Sequence, residues 1–308
     1  MNDIKIDKTG WKKYRFDEVC CQVNVSTKNP EAEGLKYVVG LEHIEPNNLH
    51  ITKWDTLEKE TTFTRKFIKG QVLFGRRRAY QRKVAYAEFD GICSGDILVF
   101  EAINDVLIPE LLPFLIQSEG FFQKALETSA GSLSPRTKFK DLADYEFLLP
   151  PKAEQQRLAE LLWAADDVVE KEKVELERVR EFFVALLNNS FKKNSNKCVN
   201  LDSVAKVIMG QSPDGSSYNE NGDGILFLQG NSEFTEMFPK AYKYTNKPNK
   251  IAKKGSILMS VRAPVGAINI ADKEYCIGRG LCSISMINDD NDYLRYFLTY
   301  AKSYLEKH

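Results

Sequence analysis

Between Leu158 and Leu186 apolar residues recur every three or four positions: Leu158, Leu161, Ala165, Val168, Leu176, Val179, Phe183 and Leu186, interrupted once at Glu172. Glu, Asp, Lys and Arg fill the other faces. This spacing predicts an amphipathic helix with a coiled-coil seam, opening at Pro151, which suits a first helical turn, and running to about Phe191. Fully exposing each large aliphatic forgoes on the order of 1.5–3 kcal/mol, so the seam calls for a partner helix. On either side the pattern changes to short apolar runs bounded by turn formers. Gln71–Phe74 and Val84–Phe89 predict two strands joined by a basic turn, and Ile225–Gln229 predicts another strand. Gly210–Gly224 is a polar, breaker-rich loop, and Lys192–Lys197 is a polar hinge.

The flanking segments repeat each other about 185 residues apart. Gly70-Gln71-Val72-Leu73 with Arg77 returns as Gly255-Ser256-Ile257-Leu258 with Arg262. Cys93-Ser94-Gly95 returns as Cys276-Ile277-Gly278, Phe16-Asp17-Glu18-Val19 as Leu201-Asp202-Ser203-Val204, and Gly34–Tyr37 as Gly224–Phe227. The reading is of two related units separated by a helical rod. Some forty residues at about 1.5 Å each give it a length of roughly 60 Å.

Composition adds exclusions. A chain of 308 residues with 43% hydrophobic content can bury two cores. It holds no apolar run of membrane-spanning length and no secretory signal core at its start, which predicts a cytoplasmic protein. The cysteines at 20, 21, 93, 198, 276 and 282 lack metal-ligand spacing and are expected to be buried free thiols.

Net charge is zero, but its distribution is uneven. Between Glu60 and Glu88 no acid interrupts Arg65, Lys66, Lys69, Arg76, Arg77, Arg78, Arg82 and Lys83. Between Glu236 and Asp272 none interrupts Lys240, Lys243, Lys247, Lys250, Lys253, Lys254 and Arg262. Two matched basic windows in a neutral protein predict local footprints for phosphate. In the first, Gly75–Lys83 carries side chains able to read base edges: arginine grips guanine O6 and N7, glutamine does the same for adenine, and Tyr80 can lie along sugar or base beside Gln81. In the second unit, ahead of its basic window, Gln211, Ser212, Gln229 and Asn231 are candidate readers, with a plain surface connection as the alternative.

The stretch Tyr145-Glu146-Phe147-Leu148-Leu149-Pro150-Pro151-Lys152-Ala153-Glu154-Gln155-Gln156-Arg157-Leu158 resembles the conserved region of type I restriction–modification specificity subunits. In that family a short hydrophobic strand, a Pro-Pro pair and a Glu-Gln pair lead into a spacer helix. The resemblance covers the whole chain. It implies an α+β fold with two related mixed α/β target recognition domains joined by a long coiled-coil-type helix. The first domain spans residues 1–150, the spacer helix 151–193, and the second, C-terminally incomplete domain 194–308. Gly210–Pro213, Leu226–Asn231 and Lys254–Leu258 also resemble segments of such domains.

The resemblance implies a non-catalytic reader of a split double-stranded DNA target, with paired helices fixing half-site spacing. The rod is somewhat under two turns of B-DNA at about 35 Å each. The helices would dock modification subunits that carry S-adenosylmethionine, and a restriction/translocase subunit would join for cleavage. The sequence itself shows no Asn-Pro-Pro-Tyr/Phe methylation motif, no GxGxxG turn and no Walker A loop. Glu170–Lys173 reads as a solvated helix flank. The chain departs from the family in lacking second-unit counterparts of Glu127–Leu149, Pro150-Pro151 and the following helix. The first helix is therefore expected to lack an internal mate, to self-associate through residues 155–190 or depend on a modification subunit, and the second unit to be the less stable. A coiled-coil scaffold that binds protein, a specificity protein that lost a fused methyltransferase, and an inactive remnant are the competing readings.

Overall fold

The computed structural model describes residues 7–129, 134–192, 199–288 and 291–305. Lys193–Lys197 of the hinge, and Cys198, lie outside the described residues. The chain divides into two compact units, residues 1–171 and 172–308.

The strands of the first unit are β1 (Lys12–Arg15), β2 (Cys20–Val23), β3 (Tyr37–Val39), β4 (Asp55–Thr56), β5 (Arg65–Phe67), β6 (Val72–Gly75), β7 (Val84–Tyr86), β8 (Gly91–Cys93), β9 (Ile97–Ala102) and β10 (Glu146–Leu149). One sheet runs β2-β9-β6-β7, wholly antiparallel. The other runs β4-β3-β8-β5, with β3 and β8 parallel. Four helices, α1 (Phe16–Val19), α2 (Leu112–Gln117), α3 (Glu119–Glu127) and α4 (Phe139–Leu142), cover the first sheet. Val72 and Phe74 enter the core beneath the helices, where Phe74 meets Phe100 and Phe121, while Leu73 enters the core between the sheets. A strand buried on both faces reads as a continuous apolar run, which is how Gln71–Phe74 presents itself. The predicted hairpin forms, with Phe74 opposite Val84. Strand β7 ends at Tyr86, whose amide donates to the Leu49 carbonyl.

The second unit repeats this plan. Its strands are β11 (Ala205–Met209), β12 (Tyr218–Asn219), β13 (Ile225–Leu228), β14 (Lys243–Thr245), β15 (Ile251–Ala252), β16 (Ile257–Ser260), β17 (Ile268–Ile270), β18 (Tyr275–Ile277) and β19 (Leu281–Met286). The orders β11-β19-β16-β17 and β12-β14-β13-β18-β15 match the first unit strand for strand, apart from the added edge strand β12. Again one pair, β13 and β18, is parallel. The expected loop Gly210–Gly224 thus contains a short 3-10 turn at Gly215–Ser217 and strand β12, because Tyr218 and Asn219 pair with Thr245 and Tyr244.

The internal alignment needs a one-residue correction. Ile97 donates to the Ser94 carbonyl at 3.0 Å and Leu281 to the Gly278 carbonyl at 3.0 Å, so Ser94 answers to Gly278 and Cys93 to Ile277, not to Cys276. Val39 faces Cys93 and Leu228 faces Ile277, which moves Tyr37 onto Leu226, not Phe227. Strands β8 and β18 are three residues long and buried on both faces, so no alternation was available to fix register. The Gly70–Arg77 match with Gly255–Arg262 holds: Gly70 and Gly255 both take left-handed φ, 92° and 84°, and donate to Ala87 and Ala271.

The long helix, α5 (Lys152–Lys192), spans 41 residues without a break. Its first half packs through Gln155, Leu158, Ala159, Leu162 and Trp163, one stripe at helical spacing. Gln155 is buried: its oxygen accepts from Ile108 N at 3.0 Å, and its nitrogen donates to the Val106 and Pro150 carbonyls at 3.0 and 2.9 Å. Trp163 lies against Phe114 and Tyr86 and donates to the Glu110 carbonyl at 2.9 Å. Leu158 is therefore spent on the unit's own core, whereas Leu161, Ala165 and Val168 stay exposed. Within the second unit, α6 (Leu201–Val204) precedes β11, and α7 (Asn291–Leu305) packs against the C-terminal end of α5. Phe183 meets Tyr296 at 5.9 Å, and Phe191 meets Tyr293, Phe297 and Tyr300 at 5.5–5.6 Å. Leu176, Val179 and Leu186 remain exposed, as does Phe182 at 66%.

Candidate nucleic-acid interface

In the first unit the basic turn between β6 and β7 is tied down. Arg76 Nε donates to the Thr137 carbonyl at 3.0 Å, and Arg77 donates through Nε and Nη2 to Ser134 Oγ at 3.2 and 2.9 Å. Arg77 also faces Asp96 at 3.5 Å, and Arg136 grips the same carboxylate at 2.7 and 3.1 Å. Arg136 holds the Asp96 carboxyl below its usual range. Burial lowers the Arg76 pKa, and Arg65 nearby adds to the shift. Arg82 pairs with Glu119 at 2.7 Å and lies 4.6 Å from the Phe122 ring, and Lys83 donates to the Leu41 carbonyl at 2.6 Å. Arg65 donates to the Gly95 and Ile97 carbonyls, and Lys66 pairs with Glu33.

The acid-free window is therefore not an acid-free surface, since Glu33, Asp96 and Glu119 arrive from other parts of the chain. The side chains of Lys69, Arg78, Tyr80 and Gln81 carry no such partner among the described residues, and Tyr80 is 57% exposed. Ser134 and Arg136 stand on this surface although the sequence reading did not single them out. Their signal was weak: Arg136 reaches Arg77 through an isolated bridge 59 positions along the chain (136 − 77).

The second unit is wired differently. Lys240, Lys243, Lys247, Lys250, Lys253, Lys254 and Arg262 are all exposed, and none forms an ion pair among the described residues. Three segments converge where β13 and β18 end: Gly210–Ser212, Gln229–Asn231 and Gly278–Gly280. Gly210 donates to the Leu281 carbonyl, Gln211 to Ile277, and Gly278 to Leu228, at 2.8–2.9 Å. A β-carbon on Gly210 would lie 2.2 Å from the Gly278 carbonyl oxygen, and one on Gly280 2.9 Å from that of Gln229, so only glycine permits this approach. Gln211 and Gln229 are exposed, Asn231 is half-buried, and Ser212 Oγ accepts from the Arg279 amide at 3.4 Å. The turn after β16 joins them, because Val261 donates to the Gly280 carbonyl at 3.0 Å and Arg262 follows it. Lys253 and Lys254 flank the separate turn at Gly255. Arg279, at the centre of the convergence, was not singled out because it stands alone, outside either basic window.

Other chemistry is thin. Glu42, His43 and Asp55 bring ligand atoms within 4.8 Å of one another. However, His43 Nδ1 accepts from Gly40 N at 3.0 Å, which leaves the proton of a neutral ring on Nε2, and Lys59 holds Asp55 at 2.8 Å. Those contacts suit a surface ion pair better than a metal. Cys20, Cys93, Cys276 and Cys282 are buried free thiols, and burial pushes Cys93 up to about 12. Cys21 is exposed, because adjacent residues of a strand face opposite ways. No helix among the described residues is long and apolar enough to cross a membrane.

Comparison with known proteins agrees with this picture. The family model for the type I restriction modification DNA specificity domain matches residues 8–180 and again 194–308. A Methanocaldococcus jannaschii protein named for the MjaX type I restriction enzyme specificity subunit is 30% identical over 302 residues, covering 87% of this chain and 70% of that one. Among solved structures, a chain from a study of type I R-M complex assembly and conformational transition superposes with a TM-score of 0.59 at 26% identity, covering 97% of this chain and 81% of its own. The S subunit of a type I restriction-modification system from M. genitalium, 15% identical, shares the fold with a TM-score of 0.60 over 99% of this chain and 80% of its own. With the family matched on both repeated halves, the chain belongs to the specificity subunits of type I restriction–modification systems, which are non-catalytic DNA-recognition proteins.

Proposed function

We propose that the chain reads a bipartite double-stranded DNA target, one half-site for each repeated unit, and that the exposed stripe of α5 receives the modification subunits. The observation that carries this is the duplicated sheet pair, with arginine, glutamine and serine side chains gathered around the end of the parallel pair. Lysines around each patch would hold phosphates and set register, while arginine and glutamine would read base edges. The modification subunits would bind S-adenosylmethionine and perform methyl transfer, and a restriction/translocase subunit would join for cleavage. This chain would supply only the address.

The test is to co-express the chain with its modification subunit and map methylated bases on genomic DNA. A motif in two separated halves is expected. An undivided motif would refute the two-reader arrangement. DNA affinity should also fall steeply with salt, because bound lysines and arginines displace counterions. Affinity indifferent to salt would favour a protein scaffold.

A further inference from the structure

We propose that Arg279 is the principal base-reading side chain of the second unit, taking a guanine in one half-site. This rests on the DNA-reading function above and adds a residue that neither basic window contains. Arg279 is exposed, and its side chain has no hydrogen bond or ion pair among the described residues. Its backbone, by contrast, is held on both sides. Gly278 donates to the Leu228 carbonyl at 2.8 Å and accepts from Leu281 at 3.0 Å, and Gly280 accepts from Val261 at 3.0 Å. β-Carbons on Gly278 and Gly280 would stand 3.0 and 2.9 Å from the Gln229 carbonyl oxygen. A fixed three-residue loop thus carries one long, unengaged, forked donor. Fixed backbone with a free guanidinium is what two-point recognition of guanine O6 and N7 requires.

The surroundings favour a nucleic-acid ligand. The nearby carboxylates are turned to other work: Asp214 accepts from Ser216 N and Oγ at 2.9 and 2.6 Å, and Glu233 accepts from Gly230 N and Ser232 Oγ at 3.2 and 3.0 Å. Phosphate contacts can fall to the exposed lysines at 240–254, leaving Arg279 for a base. The first unit shows the opposite arrangement at the equivalent loop. There Ser94, Gly95 and Asp96 correspond to Gly278, Arg279 and Gly280, and Asp96 holds Arg77 and Arg136. In one unit the loop anchors arginines, and in the other it presents one.

The experiment selects duplexes from a randomised double-stranded DNA library with the full chain and with the Arg279→Ala and Arg279→Lys variants at one salt concentration. The wild-type chain should enrich a split motif. Arg279→Ala should flatten the preference at one G·C pair of one half-site, on the order of 10- to 100-fold, and leave the other half intact. Arg279→Lys should weaken it by less, since a lysine ammonium still donates to guanine O6 and N7 but lacks the planar fork. An alanine variant that weakens all sequences alike would assign Arg279 to phosphate and overturn the proposal. A split motif that survives Arg279→Ala unchanged would overturn this assignment alone. Absence of any motif with the wild-type chain would sink the DNA-reading function together with it.

Discussion

Gln155 shows why the Glu-Gln pair that opens the spacer helix is more than a helix start. Its side-chain amide answers three backbone groups from the Val106–Ile108 loop and Pro150, fixing the direction in which α5 leaves β10. Gln155→Leu keeps the volume but strands a buried amide and two carbonyls, a cost on the order of 3 kcal/mol. Urea unfolding of the first unit should show it, and a variant as stable as wild type would mean water replaces those contacts. His50 makes the second tie. Its ring bonds Glu88 at 2.9 Å and Asp166 of α5 at 2.7 Å, with Trp163 beside it. Burial alone would lower its pKa, but the two carboxylates outweigh burial and raise it above 6.5. A raised folded-state pKa contributes stability that is complete below the unfolded value and is lost as pH climbs through the folded one. The melting difference between wild type and His50→Gln should therefore be largest near about pH 6 and shrink on the alkaline side. A difference constant from acid to alkaline pH would show that the imidazolium contributes nothing.

At the scale of elements, α5 carries two apolar systems, and only one was written plainly. Of the seam as read, Leu161, Ala165, Val168, Leu176, Val179 and Leu186 are exposed and free for a partner, while Phe183 meets Tyr296. The stripe that packs on the first unit includes buried Gln155 and half-buried Asp166, both held by hydrogen bonds that no hydropathy pattern records. Leu158 belongs to both patterns, and the core takes it. Val179→Glu should leave the melting of the chain unchanged, because Val179 touches no core, yet abolish co-purification with a modification subunit. Intact assembly of Val179→Glu would place the docking surface elsewhere. The β6–β7 hairpin was legible from its two apolar runs, but the ties that hold its turn were not. Charge within a window says nothing of Glu33, Asp96 or Glu119, which reach it only through the fold.

At the scale of the whole molecule, duplication was legible because matched turns such as Gly70 and Gly255 survive in both halves, while three-residue strands left the register one residue adrift. Two units with the same strand order but different charge wiring should recognise independently. Arg77 is held by Ser134 and Asp96, whereas Arg262, its counterpart, is exposed and has no partner among the described residues. They lie in different units, each with its own half-site, so their effects on DNA binding should add. Arg77→Ala and Arg262→Ala should each cost about 1–3 kcal/mol at one half-site, and the double variant should lose the sum to within about 0.5 kcal/mol. Titrating the four proteins against duplexes altered in one half-site at a time measures both quantities. A coupling term well above that margin, or two variants that relax the same base pair, would mean that the duplicated units read one patch together.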